Sequence, residues 1–308
     1  MPQRPEKRAG VADVDLSGTT ALVTGSTSGI GRVAARSLAR LGADVIVHGR
    51  DASAGTALAT ELRETGSDAR FVRADFADVE AVRALADSTR AAFDSLDVLC
   101  NNAGGYFRTG RLTDLGVEYT FHVNHLAPYL LTAELLEHMA PGGRVITTAS
   151  EAHRGGNLDL DAVTSVDDYS SFEAYRRSKL ANVQFAMELG RRLQRTDRDL
   201  VSNALHPGGI PGSGFTRFLP GPLSKLANPL GRLPFVTSVE EGAAALVRLA
   251  ASESLAGVSG AYFTKQERGT PTEAARDPDA QRALWERSAE LLEIETPLAG
   301  ATAANAGD

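Results

Sequence analysis

Short apolar runs along the chain alternate with longer stretches in which apolar positions return every three or four residues. Residues 20–24, Thr-Ala-Leu-Val-Thr, form the first run and read as a strand covered on both faces. Similar runs follow at 44–48, 70–73, 98–101, 144–148 and 201–205. Between them, helical spacing marks 32–41, 52–64, 79–92, 118–139 and 172–195, and a last helix bearing Trp285 is expected at 279–294. Parallel strands need long crossovers, and helices of this length supply them. The expected fold is therefore a single-domain α/β, Rossmann-type doubly wound parallel sheet with helices on both faces.

Two segments break the rhythm. Residues 151–171 are polar and join a strand to the helix at 172–195. Residues 208–239 are rich in Pro and Gly yet carry Phe215, Phe218, Leu219, Leu223, Leu226, Leu230 and Phe235. A long irregular segment with that apolar content is expected to act as a substrate lid. The domain should span 16–295, after a flexible leader at 1–15 and before a disordered tail of small residues at 296–308.

Composition narrows the setting. No apolar run is long enough to cross a bilayer, and residues 1–12 are polar and charged, unlike a signal peptide. The one cysteine, Cys100, rules out an internal disulfide or a multi-cysteine zinc site. A cytoplasmic protein is expected. The net charge of −7 argues against a nucleic-acid partner. His122 and His125 share a helix face but find no third ligand at suitable spacing, so no metal is expected.

The chemistry gathers in two places. Thr24-Gly25-Ser26-Thr27-Ser28-Gly29-Ile30-Gly31 turns from the first strand into the first helix. Glycines let backbone approach a pyrophosphate, and the helix start offers free N–H groups, so this turn reads as a dinucleotide cradle. Tyr175 and Lys179 lie four residues apart, hence on one helix face. An ammonium about 4 Å from a phenol is worth roughly 4 kcal/mol at an effective dielectric of ~20. That is enough to lower the phenol by about two to three pH units and make it a proton carrier. The lysine is also unusual: only four of the 32 basic residues are Lys.

Gly25-x-x-x-Gly29-x-Gly31, Asn101-Asn102-Ala103-Gly104, Asn124, Ser150, Tyr175-x-x-x-Lys179 and Pro207-Gly208, in that order, resemble the short-chain dehydrogenase/reductase family over about 16–265. Ser178-Lys179-Leu180-Ala181-Asn182, His206 before the Pro-Gly pair, the long gap from Ser150 to Tyr175 and Leu284-Trp285-x-x-Ser288 resemble its retinol-dehydrogenase-like branch.

The resemblance implies a catalytic set of Asn124, Ser150, Tyr175 and Lys179. Ser150 would bond the substrate oxygen and Tyr175 exchange its proton. Lys179 would bind the nicotinamide ribose, and the Asn124 backbone would hold a water on the proton path. Asp75 would accept from the adenine amino group beside Phe76. Asn101 and Gly104 would line the adenosine-side ribose and the sheet edge, and Asn102, Ala103, Pro207, Gly208 and Ile210 would also bind the cofactor. Gly212 stands where the family pattern often has a threonine, for which Ser213 or Thr216 could substitute.

At the end of the second strand, Gly49 replaces the acid that selects NAD, and Arg50 follows it, so NADP(H) is the expected cofactor. The implied activity is carbonyl/alcohol interconversion on a small molecule, mainly in the reductive direction, and the apolar lid points to an apolar substrate. A catalytically silent NADP-binding redox sensor and a carbon–carbon double-bond reductase stay open as alternatives. So does a homo-oligomer built through residues 113–139 and 172–194.

Overall fold

Continuous Val, Ile and Leu runs can pair in the middle of a sheet only if helices cover both faces. The computed structural model describes residues 3–209 and 237–302 and has that arrangement. Eight strands run in the order β3-β2-β1-β4-β5-β6-β7-β8. They are β1 (Thr20–Val23), β2 (Asp44–Gly49), β3 (Arg70–Arg73), β4 (Leu96–Asn101), β5 (Met139–Thr148), β6 (Leu200–His206), β7 (Ala261–Thr264) and β8 (Glu267–Gly269). All neighbours are parallel except β7 and β8.

The strand order reverses between β1 and β4. A crevice opens at such a reversal, beyond the carboxyl ends of the strands. Val23 pairs with Val47 on one side and Cys100 on the other, so the loops after β1, β2 and β4 emerge at one level.

One face is packed by α2 (Gly29–Arg40), α3 (Ala52–Arg63) and a helix that the apolar spacing did not suggest, Val239–Ala251. The other carries α4 (Val79–Ala92), a composite helix, and the long Ser171–Leu193. The composite is Tyr119–Phe121, a π turn at His122–Leu126, then Ala127–Leu135. The single helix expected at 118–139 is therefore divided, and its last residue, Met139, already belongs to β5. With α1 (Pro5–Arg8) ahead of these, we number Tyr119–Phe121 α5, Ala127–Leu135 α6, Ser171–Leu193 α7, Val239–Ala251 α8, Glu273–Arg276 α9 and Pro278–Leu291 α10.

Both ends depart from expectation. The leader is docked: Ala9 and Val11 are buried in the core, and Arg40 donates twice to the Glu6 carboxylate at 2.9 Å. At the other end Trp285 Nε1 donates to Pro297 O at 3.0 Å, so part of the expected tail is anchored. The helix α10 lies across α6 and α7. Trp285 stacks on Phe185 with centroids 5.7 Å apart, Tyr129 Oη donates to Trp285 O at 3.0 Å, and His125 Nε2 meets Ser288 Oγ at 2.9 Å. Ile210 and most of the segment expected to form a lid, with Gly212, Ser213 and Thr216, lie outside the described residues. Among the described residues no helix is long and apolar enough to cross a membrane, and no three metal-ligating side chains converge.

Candidate active site

A cleft of about 480 Å³ follows the carboxyl ends of the strands from β3 to β6. Its floor is the glycine turn, which neighbouring loops hold in place. Thr24 Oγ1 accepts from the N–H groups of Asn102 and Ala103, both at 2.9 Å, and Asn102 Nδ2 returns a bond to Thr24 O at 2.9 Å. Gly25 has φ +66°, and a Cβ there would stand 2.9 Å from Ala103 Cα. Backbone strain and backbone collision therefore act together. Gly25→Ala is expected to weaken binding of a dinucleotide at least tenfold in a direct titration. Unchanged affinity would show that the turn is not the cradle.

His48 fixes the same turn from behind. Its Nδ1 accepts from Gly25 N at 3.3 Å and its Nε2 faces Ala74 O at 3.2 Å, an arrangement that needs the proton on Nε2. The ring stacks on Phe76 at 4.6 Å, and burial pushes its pKa down to about 4, so it stays neutral. Nothing in the local sequence marks His48 for this role, because only the β1–β2 register brings it under Gly25. Ser26 also faces inward, its Oγ accepting from His48 N at 3.0 Å, and Gly31 packs on the Gly25 carbonyl. These two shape the turn, while Gly25, Thr27, Ser28, Gly29 and Ile30 line the cleft.

The start of α2 is open to an anion. Asp51, Asp78, Ser170, Ser238 and Asp277 each accept from an N-terminal amide of the helix they begin, but Ser28 does not cap α2. At the β2–β3 end, Arg50 and Asp75 line the cleft with 3.9 Å between Arg50 Nη1 and Asp75 Oδ2. Arg50 keeps 62% of its side chain exposed. Asp51, the acid that could compete with it, accepts from Ala54 N at 3.0 Å as the cap of α3.

Asn101 departs from its expected place. Its Nδ2 donates to Thr132 Oγ1 at 2.9 Å, inside the core, while Asn102, Ala103 and Gly104 line the cleft. Asn124 sits in the π turn, a widened turn frequent at functional sites. Its side chain holds the loop after β4, accepting from Gly105 N at 2.8 Å and donating to Gly105 O at 2.9 Å and Ser178 Oγ at 3.0 Å.

Ser150, Tyr175 and Lys179 meet at the far end, with Pro207 and Gly208 beside them. Ser150 follows β5 and caps the next turn by accepting from Ala152 N at 3.2 Å. Tyr175 and Lys179 are one turn apart on α7, with the ammonium 5.7 Å from the phenol ring centre.

The electrostatics differ from the sequence expectation. Lys179 Nζ donates to Thr148 O at 3.0 Å, and burial pushes its pKa down to about 8. Burial also raises the Tyr175 phenol, and a hydrogen bond with Ser150 opposes the rise in part. Lost hydration penalises phenolate and ammonium alike, and in this cleft it outweighs their mutual attraction.

Residues 19–218 match the family described as short chain dehydrogenase. A protein of Streptomyces sp. (strain C5) that bears the name of a daunorubicin C-13 ketoreductase is 37% identical over 287 residues, covering 92% of this chain and 96% of its own. Retinol dehydrogenase 14 of Mus musculus is 36% identical over 312 residues, covering 94% of this chain and 91% of its own. Among solved structures, a short chain dehydrogenase from Burkholderia cenocepacia J2315 in complex with NADP superposes with a TM-score of 0.65 at 27% identity, over 81% of this chain and 96% of its own.

Proposed function

This chain belongs to the short-chain dehydrogenase family, in its retinol-dehydrogenase-like branch, and from that premise we propose that it is an NADP(H)-dependent reductase of ketones or aldehydes. The observation that carries the reading is the convergence of Ser150, Tyr175 and Lys179 on the cleft floored by the glycine turn.

The residues present suit a dinucleotide. The uncapped start of α2 offers amides to a pyrophosphate, and at Gly29 a Cβ would meet nothing within 4 Å, which leaves open space above the turn. Lys179, whose Nζ donates to Thr148 O, would also bond the ribose hydroxyls. A dihydronicotinamide, when bound, would supply the hydride. Ser150 Oγ polarises the substrate oxygen, and Tyr175 Oη gives up its proton to that oxygen. In the reductive direction the raised phenol pKa is an advantage, because the acid stays protonated until it is used. Asn124 holds the Gly105 backbone and Ser178 in place around the proton path.

NADP(H) is preferred on this reading because the acid nearest the end of β2, Asp51, is engaged as a helix cap. Arg50 is then the group left to meet a 2′-phosphate, and the family neighbour solved with NADP supports the choice. A charge-assisted contact of this kind contributes about 1.5–3 kcal/mol, roughly ten- to a hundredfold in affinity. The wild type should show a kcat/KM for NADPH at least tenfold above that for NADH, and Arg50→Asp should erase the difference. Equal kcat/KM values for the two coenzymes in the wild type would refute the NADP(H) assignment.

A further inference from the structure

His206, the last residue of β6, also lines the cleft, and the proposed chemistry gives it no task. Its place follows from strand register. Thr148 pairs with Leu205, and Ala149 N donates to Leu205 O at 2.7 Å, so His206 stands beside Ala149, one residue from Ser150. Neighbouring strands lie about 4.8 Å apart, which puts the imidazole within side-chain reach of a molecule held by Ser150. Side chains two apart on a strand share a face. Ala204 packs with Leu180 and Val183 of α7, so His206 projects toward α7 as well, the side that carries Tyr175.

Among the buried histidines this ring is the exception. His48 bonds Gly25 and Ala74, His122 bonds Thr113, His125 bonds Ser288, and His153 bonds the Ser150 carbonyl. His206 is 9% exposed, and no bond to another described residue holds its ring; its Nδ1 is unpartnered, as His122 Nε2, His125 Nδ1 and His153 Nε2 also are. Its surroundings are polar. The Glu151 carboxylate accepts from Tyr262 Oη at 2.9 Å and from Arg154 Nε at 2.5 Å, and His153, Arg154 and Lys265 also act on the ring. Burial pushes the His206 pKa down to about 4, so at neutral pH the ring is uncharged and can donate through one nitrogen and accept through the other.

We infer that His206 is a specificity-determining residue whose imidazole hydrogen-bonds a second oxygen on the carbon next to the reacting carbonyl. The substrate class is then the α-oxygenated ketones, either α-hydroxy ketones or 1,2-dicarbonyls, in preference to simple apolar ketones. The inference rests on the carbonyl-reduction reading above. A site built to bond a hydroxyl discriminates strongly against the analogue that lacks it, because its own polar group is then left unpaired.

Two ketones that differ by one hydroxyl test this: 1-hydroxy-1-phenylpropan-2-one and 1-phenylpropan-2-one, each reduced with NADPH. The wild type should favour the hydroxy ketone at least tenfold in kcat/KM. His206→Leu should lower that ratio about tenfold, and His206→Gln, which keeps a donor and an acceptor, should retain part of it. A wild type that reduces both ketones equally well overturns the inference while leaving the carbonyl-reductase reading intact. So does a His206→Leu enzyme that loses both activities in parallel with a lower Tm, the mark of a structural histidine. If neither variant folds, the wild-type ratio decides alone. A wild type that oxidises NADPH with neither ketone sinks the reductase reading, and the inference falls with it.

Discussion

Tyr175→Phe is expected to lower kcat for NADPH-dependent ketone reduction about a thousandfold, within the range a positioned general acid supplies. NADP(H) affinity should stay within about threefold, because the phenol hydroxyl is a small part of the dinucleotide's surroundings. The substitution keeps the ring, which meets Tyr106 edge-on with centroids 5.6 Å apart, so packing changes little. What is lost is the hydroxyl that bonds Ser150, the proton source on the proposed reading. NADPH consumption that continues unchanged in Tyr175→Phe would remove the catalytic assignment. A loss of cofactor affinity as large as the loss of kcat would instead make Tyr175 a binding residue.

Trp285→Ala should reduce the free energy of unfolding by about 3–5 kcal/mol, the usual cost of emptying a large aromatic site in a core. The indole stacks on Phe185, meets Tyr129 edge-on at 5.0 Å, and lies under the Arg192 guanidinium at 4.9 Å. Its Nε1–H is satisfied by Pro297 O at 3.0 Å, so truncation removes a hydrogen bond as well as packing. Arg192 is almost completely buried, and its ion pair with Glu188 at 2.6 Å sits in the same cluster. Opening this region would also admit water to that pair, weakening its mutual attraction while restoring hydration to both charges. Equilibrium denaturation with urea provides the measurement. A midpoint within error of the wild type would show that α10 is an accessory and not part of the core.

Most of the sheet was legible because buried parallel strands must be continuous apolar runs, and residues 20–24 and 98–101 have no other use for such a pattern. The helix α8 was hidden for another reason. Its start, where Ser238 and Glu241 form a capping box, falls within and just past residues 208–239, the stretch read as an irregular lid. In the site, spacing correctly placed Tyr175 and Lys179 on one helix face, but a pairwise Coulomb estimate cannot see the water both groups give up on burial. The places of His48 and Asn101 were not legible because they depend on what lies across a strand pair or helix boundary, not on their neighbours in sequence.

The position of α10 also bears on how the chain is made. About a hundred residues separate Phe185 from Trp285, the ring that covers it. At typical rates of synthesis, roughly 5–20 residues per second, the ribosome needs about 5–20 s to cross that distance. Throughout that interval the aromatic face of α7 on the nascent polypeptide lacks its final cover, an exposed surface of the kind chaperones recognise.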